Sequence, residues 1–466
     1  MASLIRELMA LQDEDGWLRE ERLALLAERL GVPLHRLESV STFYTHFRRQ
    51  PGAAHRVEVC RDLACALAGG AEALGALRAA LDGREDVEVV EVSCPGRCDR
   101  APAAVVADRA FRTTAPDAVA RATGRTQAAA DEPSVSADRF GAAAVYDSPA
   151  DRYGALRRAL TRDPAELVTA LDAAGLRGMG GAAFPTGRKW ALVAAEPATP
   201  RYVVCNADES EPGTFKDREI LHDLPHLVVE GMALAALAVG AERGYVFIRH
   251  EYAPERVRLE AALREARTLG ALGDDVFGSG RAFEVEVFVS PGGYILGEET
   301  ALLECMEGRR GEPRNKPPYP GSAGLFGRPT LINNVETFAH VTAIACHGAE
   351  WWRARGIRGF AGQKFISVSG DVARPGVHCV PFGTTFAELL ARCGGLQAGR
   401  ALLAFAPGGA SSRFLGPEAL ETAIDFDAVA EAGSMLGSGA VIYVGEGHDL
   451  LEIGLSVTRF FRNESC

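Results

Sequence analysis

Apolar positions recur at helical spacing near the N-terminus, where Leu23, Leu26 and Leu30 form a stripe that stops at Gly31. Residues 1–50 therefore read as short helices, with Phe43 and Tyr44 as an aromatic pair behind the stripe. From His55 to Phe111 the period changes. VEVC and VEVVEVSC read as strands with a helix between them that runs to Leu81, and AAVVAD reads as a further strand. Periodicity then fades, and 116–150, rich in Ala, Asp, Ser, Thr and Pro, reads as a linker. Downstream, Asp163 and Pro164 open a helix that Gly175 closes. Asp163 is the N-cap, Glu166 completes a capping box, and Leu167, Val168, Leu171 and Ala174 share one face. Strands follow at Tyr202–Cys205, Tyr245–Arg249 and Phe283–Ser290, with a long apolar helix at His226–Val239. Lys364–Gly370 alternates as a half-buried strand, and Thr385 to Gly394 reads as a capped helix with Phe386, Leu389, Leu390 and Cys393 inward. Asp449–Phe461 is amphipathic, with Leu450, Ile453, Val457 and Phe460 on one face.

A length of 466 residues suggests about three domains at roughly 100–200 residues each, and 47% hydrophobic residues supports real cores. The net charge of −12 argues against nucleic acid and anionic membrane surfaces as partners. The longest apolar run, Leu227–Gly240, is interrupted by Glu230 and falls short of the ~20 residues a membrane helix needs. Arg6, Glu7, Asp13, Glu14 and Asp15 break any signal-peptide layout. The expectation is a soluble cytoplasmic protein, or one peripheral on the inner face of a membrane complex. In such a chain the ten cysteines read as metal ligands or buried thiols rather than a disulfide framework.

The densest chemistry lies between Gly175 and Asp217. Gly175, Gly178, Gly180 and Gly181 let backbone N–H groups approach a phosphate or a planar ring, and Arg188 and Lys189 follow as phosphate partners. Gly178–Ala183 fits a loose G-x-G-x-x-G/A pattern, yet a Rossmann site needs a strand before the loop, and a helix precedes this one. A specialised flavin and nucleotide cradle is the better reading, and a plain tight turn is the bland one. Asp208, Glu209 and Glu211 crowd beside Asn206. Carboxylates this close repel, unless hydrogen-bond donors such as ribose hydroxyls or a carboxamide lie between them. Glu298 and Glu299 follow a glycine turn and precede a helix; alone they would be ordinary dipole-compensating charges. Lys316–Pro320 is a stiff segment presenting a cation and the Tyr319 ring, and Asn333, Asn334 and Thr337 follow a short apolar strand. Cys60 and Cys65 (C-x4-C) and Cys94 and Cys98 (C-x3-C) each follow a strand-like run, so four thiolates can converge. A 2Fe–2S cluster takes four such ligands; zinc and two disulfides are the alternatives. Cys205, Cys305, Cys346, Cys379 and Cys393 lack ligand spacing and read as buried thiols.

GLRGMGGAAFPTGRKW, CNADESEPGTFKD, YILGEETALLECMEG, NKPPYP and LINNVET occur in that order after residue 151. Together they resemble the NADH- and FMN-binding subunit of respiratory complex I type NADH dehydrogenases, a module also found in NAD-linked formate dehydrogenases and hydrogenases. The four cysteines with STFYTHF and PGAAH resemble that subunit's usual neighbour, the small 2Fe–2S subunit, here fused on the same chain. The implied architecture is α/β multidomain. A helical lead-in (1–50) and a thioredoxin-like ferredoxin domain (51–115) precede the linker. An α/β FMN- and NADH-binding domain (151–361) and a β-grasp-like domain (362–445) follow, and 446–466 begins a C-terminal 4Fe–4S helical bundle.

The resemblance implies FMN, NAD(H) and a 2Fe–2S cluster on Cys60, Cys65, Cys94 and Cys98. It places Gly178, Gly180, Gly181, Lys189, Asn206, Asp208, Asn333 and Asn334 on FMN. Phe184, Glu211, Tyr294, Glu298, Glu299, Lys316 and Tyr319 would face NADH. Cys466 matches the first ligand of a 4Fe–4S motif, and since the sequence stops there the expectation is a truncated sequence, with that cluster only in a longer chain. No side chain need act as acid or base, because the cofactor carries the hydride chemistry. The expected function is an NADH-oxidising electron-input module feeding further iron–sulfur subunits; the alternative is a scaffold or electron-transfer subunit with a vestigial nucleotide site. Three departures from the family pattern stand out. Met179 replaces the usual Arg, Ala183 the usual Gly, and Leu192 an often aromatic position, which should weaken nucleotide binding modestly.

Overall fold

The structure is a computed structural model that describes residues 3–107, 109–113, 119, 123, 145–146 and 148–466. The expected linker at 116–150 thus lies outside the described residues apart from Val119, Thr123, Val145, Tyr146 and 148–150. The N-terminal stripe folds into helices Leu4–Asp15, Glu20–Leu30 and Leu34–Phe43. Gly31 closes the second at φ 65°, a left-handed conformation that glycine adopts without a Cβ clash.

His55–Cys60 (β1), Val87–Val92 (β2), Ala103–Val106 (β3) and Arg109–Arg112 (β4) form one sheet in the order β2-β1-β3-β4. β1 is parallel to β2, through a crossover containing helices Leu63–Leu67 and Gly70–Ala80, and antiparallel to β3. This is the small α/β unit its strand pattern predicts.

Tyr202–Ala207 (β5), Arg243–Arg249 (β6), Glu284–Ser290 (β7) and Thr330–Asn334 (β8) make an all-parallel sheet ordered β7-β6-β5-β8. A parallel sheet needs cover on both faces, and the two-residue period shares out the side chains. Val203, Cys205, Val246, Ile248 and Leu331 pack with the helices Pro225–Val239 and Val335–His347. Gly231 permits that helix pair, since a Cβ there would run into the Phe338 carbonyl. Val204, Phe247, Phe288 and Ile332 point the other way, onto Leu4, Ile5, Leu8 and Leu23 of the lead-in and Leu302 and Leu303 of the helix Glu299–Met306. The lead-in therefore roofs a sheet some two hundred residues downstream, which its own pattern does not disclose. Glu230, the charge that interrupts the apolar run, is buried. It accepts from the N–H groups of Tyr153 and Leu156 and from the Tyr146 hydroxyl. No single described helix is long and apolar enough to cross a membrane.

Strand order reverses at β5, with β6 and β7 on one side and β8 on the other. Open α/β sheets bind ligands at such a switch point, in the crevice beyond the carboxyl ends of the strands. Asn206 and Asn334 are register partners at that end of β5 and β8.

Gln363–Gly370 (β9), Gly376–Pro381 (β10), Leu402–Ala406 (β11) and Ala440–Gly445 (β12) form a mixed sheet ordered β10-β9-β12-β11, accompanied by helix Phe386–Arg392 with its Thr385–Glu388 capping box. This is the β-grasp-like unit. Two local expectations are corrected. β9 is not half-buried: every residue from Gln363 to Ser369 is buried. Both of its faces meet the rest of the chain: Ser367 Oγ, on one, accepts from the Phe215 N–H at 2.9 Å, and Lys364 Nζ, on the other, donates to Glu336 at 2.9 Å. Asp163 caps helix Pro164–Ala174 as predicted, but Glu166 does not close a capping box and faces Arg162 at 4.0 Å. In the C-terminal helix Leu450–Asn463, Ile453 and Phe460 are buried while Leu450 is exposed. The amphipathic face is thus only partly covered.

Candidate functional site

The glycine loop lies directly on the end of β8. A Cβ on Gly180 would stand 3.0 Å from the Asn334 Cβ, and Gly181 adopts φ 122°. The loop is closed by the Gly178 N–H donating to the Phe184 carbonyl at 2.9 Å. It is fastened at Met179, whose N–H donates to Thr337 Oγ1 at 3.0 Å and whose carbonyl accepts from Lys364 Nζ at 3.1 Å. Ala183, where the family pattern has Gly, sits at φ 52°, a left-handed conformation that Gly would adopt with less strain. The asparagines are held by the scaffold. Asn206 Oδ1 accepts from the Asp208 N–H at 3.1 Å, and its Nδ2 donates to the Gly297 carbonyl at 2.9 Å. Asn333 Oδ1 accepts from Trp190 Nε1 at 3.0 Å. Asn334 caps helix Val335–His347 and accepts from Lys216 Nζ at 3.3 Å.

The carboxylates divide by role. Glu209 reads from sequence as ligand-facing, but it is buried and accepts from the N–H groups of Asp217 (2.9 Å) and Arg218 (3.1 Å) and from the Tyr252 hydroxyl (3.0 Å). Its task is structural. Asp208 is also buried, with Ser210 Oγ donating to Oδ2 at 3.0 Å and the Ser290 hydroxyl and Arg249 beside the carboxylate, while its Oδ1 accepts no hydrogen bond of normal geometry. Burial pushes its carboxyl up to about 7. Glu211 accepts from the Ser411 N–H at 2.6 Å and from the Tyr294 hydroxyl. The Tyr294 ring is edge-on to Phe460 at 5.1 Å. Glu298 caps its helix and shares Lys316 Nζ with Glu299, at 2.9 and 2.8 Å. Lys189, expected on FMN, lies 3.6 Å from Glu299. The rings of Phe184 and Tyr319 are exposed.

An orphaned buried acceptor just past the end of β5, with a glycine loop lying on the end of neighbouring β8, fits a flavin or nucleotide at the switch point that brings its own N–H or O–H donors. A pH dependence follows. An unfolded aspartate titrates near 3.9. Asp208 at about 7 therefore makes the native chain hold an extra proton between those values. Its stabilising contribution is full below about 3.9 and is lost as pH rises through about 7. Donors from a ligand favour the ionised form, so FMN affinity should rise from pH 5.5 to about 7 and then level off. Fluorescence titration of FMN should show this, and Asp208→Asn should flatten it.

The four N-terminal cysteines come together as the spacing predicts. All are buried; the Cys60 sulfur lies beside those of Cys65 and Cys94, and the Cys94 and Cys98 sulfurs are 3.4 Å apart. Among the described residues no three His, Cys, Asp or Glu side chains surround a single ion position, whereas the four sulfurs follow one another as neighbours, Cys65 beside Cys60, Cys60 beside Cys94 and Cys94 beside Cys98. That donor set suits a binuclear cluster better than one zinc ion, and no two of the cysteines are joined as a disulfide. Cys466 is exposed at the far end of the C-terminal helix. A cavity of 530 Å³ lies on the cluster side of the carboxylate loop, lined among others by Cys94, Ser210, Arg249, Tyr294 and Glu464; its lining does not include the glycine loop. Sequence reading missed Trp190, Lys216, Arg218, Arg249, Glu336 and Lys364, because single charged or aromatic residues outside a spaced pattern give no signal.

The fold and site define a class: an iron–sulfur, thioredoxin-like domain joined to a switch-point α/β domain and a β-grasp unit. Residues 171–343 match the family model of the Nuo51 FMN-binding domain, residues 1–125 the thioredoxin-like [2Fe-2S] ferredoxin and residues 365–415 the SLBB domain. A second F-type subunit of the NADH-quinone oxidoreductase of Rhizobium meliloti is 45% identical over 316 residues, 67% of this chain and 75% of that protein. The F-type subunit of the Escherichia coli NADH-quinone oxidoreductase is 44% identical over 317 residues, 67% of this chain and 71% of that protein. The crystal structure of an NAD+-reducing [NiFe]-hydrogenase in the H2-reduced state superposes with a TM-score of 0.85 at 31% identity, covering all of this chain and 81% of the other. The chain belongs to the family of NADH-quinone oxidoreductase F-type subunits.

Proposed function

We propose that the chain is an NADH-oxidising electron-input module. Its support is the switch-point crevice, where the glycine loop lies on Asn334 at the end of β8 and Asp208 follows the end of neighbouring β5 with a buried oxygen that accepts no hydrogen bond. Arg249 ties the adjacent Glu209 carbonyl to that of Cys94 in the four-thiol site. FMN, when bound, accepts a hydride and releases electrons singly, and a 2Fe–2S cluster carries single electrons. The residues supply placement. Gly178, Gly180 and Gly181 admit the flavin, Asn206, Asp208, Asn333 and Asn334 orient it, and Lys189 adds a cation at its edge. Phe184, Glu211, Tyr294, Glu298, Glu299, Lys316 and Tyr319 form the nucleotide side, and Cys60, Cys65, Cys94 and Cys98 hold the cluster. We take the domains to be 51–115, 151–361 and 362–445, a division supported by each span holding one sheet. Partners are further iron–sulfur subunits of a multi-subunit redox complex, and the compartment is cytoplasmic or the inner face of a membrane complex.

Purified protein reconstituted with FMN, iron and sulfide should show flavin absorbance, a 2Fe–2S signal by electron paramagnetic resonance on reduction, and NADH-dependent reduction of an artificial acceptor. Flavin bound without NADH oxidation would favour the scaffold reading. Glu211→Gln and Glu299→Gln should each raise the KM for NADH with FMN still bound, by the equivalent of about 0.5–1.5 kcal/mol for a lost polar contact. Unchanged kinetics in both, at full flavin content, would remove these residues from the nucleotide side.

A further inference from the structure

One side chain of the central domain joins the four-thiol loop to the carboxylate loop. Arg249 closes β6 and is 4% exposed. Its Nη2 donates to the Cys94 carbonyl at 2.8 Å and its Nη1 to the Glu209 carbonyl at 2.5 Å, while Nε and Nη2 pair with Glu251 at 3.0 and 2.6 Å. Only a planar fork presents donors along two edges at once; a lysine ammonium is a compact point charge. The surroundings fix the fork. The Tyr252 ring centroid is 5.2 Å from the guanidinium, and the Tyr252 hydroxyl holds Glu209. Gly96, in the thiol loop, is seated against that ring where a Cβ would overlap it. Arg218 binds the same loop, donating to the Gly96 carbonyl at 2.6 Å and to Asp99 at 3.1 and 3.0 Å, while its N–H donates to Glu209. Loops 94–99 and 208–211 thus share one buried frame.

Stability alone does not account for that frame, because a buried ion pair is often no more stabilising than apolar side chains of the same volume. Its particular product is geometry: two backbone carbonyls from two domains held by one rigid group. We propose that Arg249 is a positioning residue for both redox centres, holding the peptide of the cluster ligand Cys94 and the peptide next to Asp208 in one fixed relation. The inference rests on the reading above that the four thiols hold a 2Fe–2S cluster and that Asp208 faces the flavin.

The test uses the full chain, reconstituted with FMN, iron and sulfide, as wild type, Arg249→Lys, and Arg249→Met with Glu251→Gln. The wild-type paramagnetic signal and flavin content test the underlying reading separately. The double substitution removes the buried pair together, so neither partner is left as a lone charge, and Arg249→Lys keeps the charge but cannot reach both carbonyls. In both variants the 2Fe–2S line should broaden, iron should pass to a chelator about tenfold faster and FMN should dissociate several-fold faster, as expected for lost buried hydrogen bonds. Line shape, iron release and flavin dissociation matching wild type would overturn the proposal. A change confined to the cluster, with FMN dissociation unaltered, would overturn the joint role. If the double variant fails to fold, Arg249→Lys carries the same comparison.

Discussion

Glu336→Gln should destabilise the chain by about 3–5 kcal/mol, the loss typical of breaking a buried ion pair from one side. Glu336 and the two lysines it serves are fully buried, with Lys216 Nζ at 3.0 Å and Lys364 Nζ at 2.9 Å from the same carboxylate oxygen. Its other oxygen accepts from the Phe365 N–H at 2.8 Å and lies 3.3 Å from His340 Nε2. One anion therefore joins the central domain to β9, and Lys364 carries the link on to the Met179 carbonyl of the glycine loop. A neutral glutamine leaves the buried Lys364 ammonium with no anion, while Lys216 keeps Asp217 at 2.7 Å. Burial already pushes Lys364 down to about 8 even with the anion present, so loss of Glu336 should drive one lysine neutral. Lys364→Met should be milder, because Glu336 keeps Lys216. Denaturant midpoints would rank the two, and equal losses would show that the carboxylate is not the hub. The pH dependence has a definite sign. Burial alone would raise the Glu336 pKa, but Lys364 and Lys216 outweigh it and hold the carboxyl well below the usual range. Its stabilisation is present above the unfolded value near 4.3 and is lost only as pH falls through the depressed folded value. The native chain should keep this joint through mild acid.

That hub shows where legibility in the sequence ends. The cysteine pairs were readable because ligand spacing and flanking strands are local, and the four sulfurs meet as the spacing requires. Asp163, Gly175 and Thr385 were readable as caps because capping chemistry spans only a few residues. Lys216, Glu336 and Lys364 were not, since a single charge reads as surface until three distant segments bury it together. Glu209 misled for the same reason: it looks like Asp208 and Glu211 in the chain, and only the fold sets two backbone N–H groups and the Tyr252 hydroxyl around it. β9 alternates like a half-exposed strand, but both of its faces meet the rest of the chain instead of water. The lead-in helices announce an apolar face without saying what covers it, and the answer lies on β5 to β8.

Gly181→Ala should strip the chain of FMN while leaving the iron–sulfur site intact. Gly181 has φ 122°, well outside the small left-handed region open to residues with a Cβ. Space is not the obstacle, since the nearest atoms to an added Cβ are backbone atoms of Gly437 and Ser438 at 3.8 and 3.9 Å. The obstacle is backbone strain of about 1–3 kcal/mol. The loop cannot shed it cheaply, because Met179 is tied to Thr337 and Lys364 and Gly178 is bonded to the Phe184 carbonyl. Alanine must therefore either bear the strain or shift the backbone away from the crevice at β5 and β8. Either way FMN affinity should fall about ten- to a hundredfold, the equivalent of that strain at 1.4 kcal/mol per tenfold. NADH oxidation by dialysed protein should fall in parallel with flavin content and return on adding excess FMN. The 2Fe–2S signal should be unchanged, because Arg218 and Arg249 hold the thiol loop through contacts that do not involve the glycine loop. A variant that keeps its full flavin content after dialysis would show that this loop does not carry the cofactor.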